Sequence, residues 1–432
     1  MKIQNVKGGY DYLPQEQRIR NDINDTLKEI FISFGYQPIE TPILCYYELL
    51  TDKYDEKNDI VKEIYKLNDQ GNRALGLRYD LTVPFAKFIA LNKNNLTFPF
   101  KRFEIAKVFR DGPIKLGRDR EFTQCDVDVV GLRGGLIEAE LMTLYEKAFQ
   151  KLGIDIIIKY NSRKLMTGLI LECGIKEENV SRVTTLIDKI EKLSKPEFIE
   201  SLLNEKIERE SINKLIEIFK CSLEELNEKF KKSENLKIRQ GLKELNELTK
   251  YLEKLGLNKC CVFTPSLARG QNYYTGNVFE VYETSGFISG SIGAGGRYDQ
   301  MITNFINDGE TYPTVGISFG LSSIYEIVKQ QKLSKNNRNL DIYIIPLETE
   351  IESLKLANTL RELGYKVELE MSNKKIKKSL DFANKNEIPF VIILGLDEIK
   401  KGTFNLKDMK NNQEYEIDYS NVSEIKNIIK RL

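Results

Sequence analysis

Residues 103–131 read FEIAKVFRDGPIKLGRDREFTQCDVDVVG. Lys101–Phe109 and Cys125–Val130 have the apolar and β-branched content of strands, and the segment between them is polar and rich in Gly and Arg. The pattern predicts an antiparallel pair that presents its charged loop and inner face to a ligand. Arg110 ends the first strand, and Lys115, Arg118 and Arg120 line the loop. Gln124, Asp126 and Asp128 alternate, so they share one face of the returning strand. Guanidinium groups grip phosphate bidentately, and carboxylates hold an ammonium group or Mg²⁺. These residue types therefore suit an ATP site, although a solvated charged hairpin has the same pattern.

Moving outward, residues 15–34 predict an amphipathic helix, with Ile23, Leu27, Ile30, Phe31 and Phe34 on one face. Gly35 ends it, Pro38 lies just beyond, and a short extended segment runs from Gln37 to Ile43. In GLRYDLTVPFAKF, residues 76–88, Arg78 and Asp80 alternate with Leu77, Tyr79 and Leu81; if extended, they share a strand face, and a surface ion pair explains them equally well. Residues 135–152 predict a helix. From about 177 to 257 the chain is dense in Lys, Glu, Leu and Ile with almost no Gly, and reads as a run of amphipathic helices. Glycines and apolar strands return at 262–327, and QQKLSKNNRN, residues 330–339, is a polar linker. After it, DIYIIPL, a helix at 350–363, KVELEM, a helix at 374–385, PFVIILG and a hairpin-like tail alternate as in a small α/β domain with a partly parallel sheet.

The bulk composition limits the chemistry. The chain has 432 residues, 41% hydrophobic and 30% charged, with a net charge of +1, as expected of two or three globular domains. No apolar run is long enough to span a bilayer, and MKIQNVKGGYDYLP has no secretory apolar core, so a cytoplasmic protein free of the membrane is expected. The six cysteines form no CxxC pair, and there is no histidine, so no protein-held metal site is expected. The lack of histidine also removes imidazole bases and Ser-His or Cys-His nucleophiles. What remains is chemistry driven by positioning and charge, such as phosphoryl or nucleotidyl transfer.

Two further stretches carry candidate groups. In SLARGQNYYTGNVFEVY, residues 266–282, Arg269 precedes Tyr273, Tyr274 and Gly276; tyrosine hydroxyls can bond a polar side chain in a closed pocket, but an ordinary turn before an aromatic strand reads the same way. SGSIGAGGRYD, residues 289–299, and TVGISFGL, residues 314–321, are glycine-rich without the GxxxxGK[ST] loop, and suit either a strand that a ligand approaches closely or a packing site.

Taken in order, these stretches resemble the class II aminoacyl-tRNA synthetases, and their histidine-specific family in particular. FGYQPIETPI, residues 34–43, resembles the first motif, which builds a dimer interface; residues 103–131 resemble the second and PTVGISFGL the third. ARGQNYYTG and GAGGRYD resemble the two histidine signatures, and KKIKKSLDFANKNEIPFVIILG with NLKDM resembles the anticodon-binding domain. The resemblance covers roughly residues 8–165 and 255–410. It implies an α+β catalytic core with an antiparallel sheet (1–165 and 255–329), a helical insertion domain (166–254), the linker (330–339) and a C-terminal α/β domain (340–432). The implied function is a homodimeric ligase that activates histidine with ATP and Mg²⁺ and transfers it to tRNA(His) in protein biosynthesis.

By the same resemblance, Arg110 contacts the ATP α-phosphate and Phe122 stacks on adenine, with Arg118 also in the nucleotide site. Asp80, Thr82, Gln124 and Asp128 hold the ammonium and carboxylate ends of histidine, Tyr273 and Tyr274 line the imidazole pocket, and Arg269 faces the α-phosphate from the other side. Two positions depart from the pattern. Gly112 stands where the second motif often has Glu, and Ser323 stands where the third has an ATP-gripping arginine, so Lys115, Arg118 or Arg120 is expected to supply that charge. The missing arginine is also the argument for the alternative: a non-catalytic regulatory subunit of the same fold that senses histidine for histidine biosynthesis. The lysine cluster Lys374, Lys375, Lys377 and Lys378 could meet RNA phosphates or simply be a solvated helix face. Finally, a message with no histidine codon can be translated while charged histidine tRNA is scarce.

Overall fold

The computed structural model describes residues 2–51, 59–270, 273–332, 340–372 and 374–429. Backbone contacts divide the chain into two compact units: Glu16–Gln330 with the N-terminal residues through Tyr12, and Gln331–Leu432 with Leu13–Gln15. Most of the linker expected at 330–339 lies outside the described residues, and its start belongs to the helix Leu321–Lys332. Gln271 and Asn272 of the ARGQNYYTG stretch also lie outside them.

The first unit is built on an eight-stranded sheet. Its strands are β1 Gln37–Pro38, β2 Phe100–Phe109, β3 Glu121–Val130, β4 Ile156–Ser162, β5 Cys261–Phe263, β6 Asn277–Glu283, β7 Gly293–Arg297 and β8 Thr314–Gly320. Their spatial order is β1-β2-β3-β8-β7-β6-β4-β5. The inner pairings are antiparallel, while β1 on β2 and β4 on β5 are parallel additions at the two edges. The sheet is thus the expected antiparallel one with a short parallel strand at each end. β3 begins at Glu121, four residues before the apolar run, because Glu121, Phe122, Thr123 and Gln124 still pair with β2 as far as Phe109.

The sheet has one apolar and one polar face, as period-2 alternation requires. On the apolar face Cys125, Val127 and Val129 of β3 and Phe319 of β8 are fully buried. Phe319 packs against Phe31, Tyr145 and Phe149, with ring centroids 5.5, 4.7 and 5.4 Å away. Those rings come from the helices Pro14–Ser33 and Gly135–Leu152, which cover this face. Pro14 opens the first of these helices, where its missing N–H costs nothing, and Gly35 follows it with φ +80°.

The helical stretch runs from Arg163–Glu172 to Leu236–Lys254. Its inner side chains Leu165, Leu169, Leu245 and Leu248 join the same apolar cluster as the sheet. The close approach needs glycine: a Cβ on Gly241 would lie 2.5 Å from the Leu165 nitrogen. Two of its helices start with complete capping boxes, Ser194 with Glu197 and Ser222 with Glu225.

One local expectation is corrected. The strand at GLRYDLTVPFAKF is only Ala74–Leu77, in a separate three-stranded sheet, and a helix begins at Thr82. Arg78 and Asp80 therefore share no strand face. Asp80 Oδ1 accepts the Val83 N–H at 3.1 Å, satisfying a first-turn donor and turning the chain into the helix Thr82–Asn92.

The second unit is a five-stranded sheet ordered Val367–Leu369, Ile342–Pro346, Phe390–Leu394, Thr403–Asp408, Gln413–Asp418. The first three strands are parallel and the last two form an antiparallel hairpin. Its fully buried Ile342, Ile344, Leu360, Ile392 and Leu406 form a core of their own.

Candidate active site

The polar face of the first sheet is organised by register. One row runs Arg102, Asp128, Gly316, Gly296, Val278, and the next Glu104, Asp126, Ser318, Ala294, Glu280. Arg102 is fully buried, with Nη2 2.6 Å from Asp128 Oδ2, Nη1 3.7 Å from Glu104 Oε2, and its guanidinium 4.1 Å above the Phe85 ring. Buried charges persist only when paired, and this arginine balances the carboxylates around it. Asp128 Oδ1 accepts the Tyr298 hydroxyl. Burial raises the pKa of Asp128 and of Asp80 against the opposing pull of nearby guanidiniums, and pushes Asp126 up to about 7.

Above this floor stand three tyrosines. Tyr273 and Tyr274 have ring centroids 4.6 Å apart, and Tyr273 meets Tyr298 edge-on at 5.8 Å. Tyr274 lies so close to β7 that a Cβ on Gly296 would be 2.8 Å from its ring. Gln124 Nε2 donates to Ser318 Oγ at 3.0 Å, while Gln124 Oε1 and Asp126 Oδ1 are buried acceptors without a hydrogen-bond partner. Such acceptors fit a ligand that brings its own N–H donors. Gln124 and Asp128 thus share one polar sheet face, and Tyr273 and Tyr274 join it through Tyr298, which bonds Asp128. Asp80 lies within electrostatic reach of Asp126 and Asp128, with Thr82 opening the helix that follows it.

Arg110 lies beyond the end of β2. Its guanidinium is 4.2 Å from the Tyr79 ring and 5.0 Å from the Phe122 ring, and Nε donates to the Tyr79 carbonyl at 3.1 Å. The two rings leave the remaining N–H groups as its polar outlet. The loop from 110 to 120 turns tightly at Lys115–Arg118, which exchange backbone bonds of 3.1 and 2.9 Å around Gly117 at φ +72°. Arg120 pairs with Asp111 at 3.0 Å and Arg118 with Glu63 at 3.5 Å.

Both departures from the family pattern have a local explanation. At Gly112 a Cβ would meet Glu63 Oε1 at 2.8 Å, so a carboxylate from the helix Asp59–Glu63 occupies that space, where it also accepts the Tyr79 hydroxyl at 3.1 Å. At the start of the helix Leu321–Lys332, Ser323 Oγ donates to the Gly117 carbonyl at 3.2 Å and Ser322 Oγ to Asp119 Oδ2 at 2.8 Å. A Cβ on Gly117 would lie 2.7 Å from Ser323 Oγ. The position of the expected arginine is filled by contact with the loop itself.

Arg269 is not next to Arg110. Its Nη1 pairs with Glu280 Oε1 on β6, on the same sheet face, and its Nε is buried without a partner. β6 lies four strand spacings from β2, at whose end Arg110 stands, about 19 Å at ~4.8 Å each.

Arg102, Ser318, Tyr298, Glu63 and Glu280 were not among the residues expected from sequence. The alternation of Arg102 and Glu104 inside an apolar strand was a legible signal for Arg102; nothing local marks Glu63, which reaches the site from a separate short helix.

A largely antiparallel sheet with a buried carboxylate–arginine floor, in a chain that also has a separate α/β unit, fits the class II aminoacyl-tRNA synthetases. The profile of the histidyl-tRNA synthetase family matches residues 8–324, and that of the anticodon binding domain matches residues 341–428. The chain belongs to the histidyl-tRNA synthetase family. It is 44% identical over 429 residues to histidine–tRNA ligase 1 of Bacillus cereus, covering 98% of this chain and 97% of that one. It is 42% identical to histidine–tRNA ligase 2 of Shouchella clausii, covering 96% and 98%. The histidyl-tRNA synthetase structure from Nostoc sp. PCC 7120 superposes with a TM-score of 0.84 at 30% identity, covering all of both chains.

Proposed function

We propose that this chain activates histidine with ATP and transfers the histidyl group to tRNA(His). What supports the reading is one polar sheet face that carries Gln124, Asp126 and Asp128 beside Tyr298, with Arg110 past the end of β2 and Arg269 paired to Glu280 of β6; the carboxylate- and tyrosine-bearing part is read as a recess and the arginines as its rim. In the recess, Asp80, Thr82, Gln124 and Asp128 hold the ammonium and carboxylate ends of histidine, and Tyr273, Tyr274 and Tyr298 enclose its imidazole. On the rim, Phe122 stacks on adenine, Arg110 and Arg269 flank the α-phosphate, and Arg118 reaches the outer phosphates. The histidine carboxylate attacks the α-phosphorus, its bond to the bridging oxygen breaks, and pyrophosphate leaves. Negative charge builds on the phosphate oxygens, where preorganised guanidiniums lower the barrier. No protein nucleophile or general base is needed, so a histidine-free chain is competent.

Mg²⁺ fits as an ion carried in by ATP. Among the described residues no three acids gather to hold a metal, and Mg²⁺ in such sites takes one or two carboxylates with phosphate and water. Asp126 Oδ1, buried and unpartnered, is an available oxygen on this face. When bound, the ion supplies charge neutralisation on the leaving phosphates.

A cytoplasmic homodimer is part of the same reading. Exposed Ile43, Leu44 and Tyr46 in and beside the first-motif segment provide apolar surface for a second copy. The second unit is assigned to the anticodon; its exposed Lys374, Lys375, Lys377 and Lys378 suit RNA phosphates. None of the described helices is long and apolar enough to cross a membrane.

The regulatory-subunit alternative is favoured only by Ser323. Aminoacylation of tRNA(His), with and without Arg269→Ala, separates the two. The ligase reading expects activity that falls by about 10²–10³ in the variant; a wild-type chain that binds histidine without charging tRNA is the alternative.

A further inference from the structure

The helical stretch returns to the catalytic face at one short segment just past the helix Glu177–Ile187. There Asp188 is half-buried against the residue that follows Arg269. Its Oδ2 is 3.1 Å from the point where a Cβ on Gly270 would stand. The charged groups around it are Arg269, Glu280, Lys192 and Arg163.

Arg163 opens the helix Arg163–Glu172, and its Nη1 donates to the Arg269 carbonyl at 3.3 Å. From the sheet side, Glu280 takes both Arg269 Nη1 and the Tyr282 hydroxyl. Lys159, the register partner of Glu280 on β4, pairs with Glu191, three residues after Asp188. Arg269 is therefore held at its guanidinium by Glu280 of the sheet and at its carbonyl by Arg163 of the helical stretch, with the Asp188 carboxylate beside the next residue.

We propose that Asp188, braced by the Glu191–Lys159 pair, is a positioning residue for Arg269, so that the insertion is a working part of the adenylation site. Glu280 fixes the guanidinium from the sheet, while Arg163 and Asp188 confine the backbone at Arg269 and Gly270 from the helical stretch. Holding the residue from two elements removes freedom before ATP binds, which is what preorganised stabilisation of developing phosphate charge requires. The inference rests on the reading given under Proposed function.

The test is histidine-dependent ATP–pyrophosphate exchange by the full chain. Asp188→Asn keeps shape and removes charge; it lowers the exchange kcat about tenfold while the histidine KM stays within twofold. Asp188→Glu recovers part of the rate. In an Arg269→Lys background, Asp188→Asn adds no further loss, because its effect passes through the native guanidinium. Thermal unfolding checks that each variant is folded. An Asp188→Asn kcat within twofold of wild type, or a loss that simply adds to that of Arg269→Lys, overturns the proposal. A wild-type chain with no histidine-dependent exchange would instead defeat the ligase reading, and this inference with it.

Discussion

A Cβ on Gly316 would stand 1.7 Å from Oδ1 of Asp128, its register partner on the neighbouring strand. The Asp128 carboxylate lies in the space a side chain would fill, and from there it meets Arg102 and Tyr298. Gly316→Ala should push the carboxylate out of that pair. Arg102 would keep only its longer pairing with Glu104, so the loss should approach but not exceed the ~3–5 kcal/mol of a fully broken buried pair. Urea unfolding should show that loss, with a histidine KM raised at least about tenfold in any folded protein. Stability within about 1 kcal/mol of wild type and an unchanged KM would mean that β8 can yield.

The contacts of Ser322 and Ser323 hold the 110–120 loop against the helix Leu321–Lys332. The Ser322→Ala/Ser323→Ala double variant should raise the ATP KM by about tenfold, near the 1.4 kcal/mol expected of two modest hydrogen bonds, and leave the histidine KM alone.

Arg118, exposed on that loop, is the proposed substitute for the missing arginine. Arg118→Ala should also weaken ATP selectively, by roughly tenfold. If Ala at Lys115, Arg118 and Arg120 together leaves the ATP KM unchanged, the loop supplies no replacement charge.

Burial pushes Asp126 up to about 7, from an ordinary value of 3.8. Between those values the folded state binds a proton that the unfolded state has lost, so stability from this group falls as pH rises and levels off above about 7. Asp126→Asn has no such charge to bury. Its stability relative to wild type should therefore be greater at pH 8 than at pH 5, as read by chemical denaturation at the two values. A constant difference would contradict the shift.

A chain with no histidine among its 432 residues can be elongated without charged histidine tRNA. During histidine starvation, pulse labelling should show its synthesis persisting while that of histidine-containing proteins falls. Equal decline would remove the idea.

Much of the site was legible because strands report faces. The alternation of Gln124, Asp126 and Asp128 inside an apolar strand marks one polar side, and the β2–β3 register places Arg102 and Glu104 on that same side, beside Asp128 and Asp126. Asp80 was less legible. Its spacing from Arg78 fits a strand, yet one carboxylate–amide bond turns the chain into a helix instead. Glu63 and Asp188 were not legible, because each reaches its target across a long stretch of chain.

The sequence by itself determined the strand and helix periods, the motif order and the exclusion of imidazole chemistry, since these follow from residue type and near-neighbour spacing. Tertiary structure alone decided which carboxylate meets which partner: Glu63 fills the space at Gly112, Glu280 pairs with Arg269, and Asp188 lies beside Gly270. The physical reason is range. Backbone periodicity is set within a few residues, whereas a charge pair depends on which distant elements the apolar core brings together, and no local pattern carries that information.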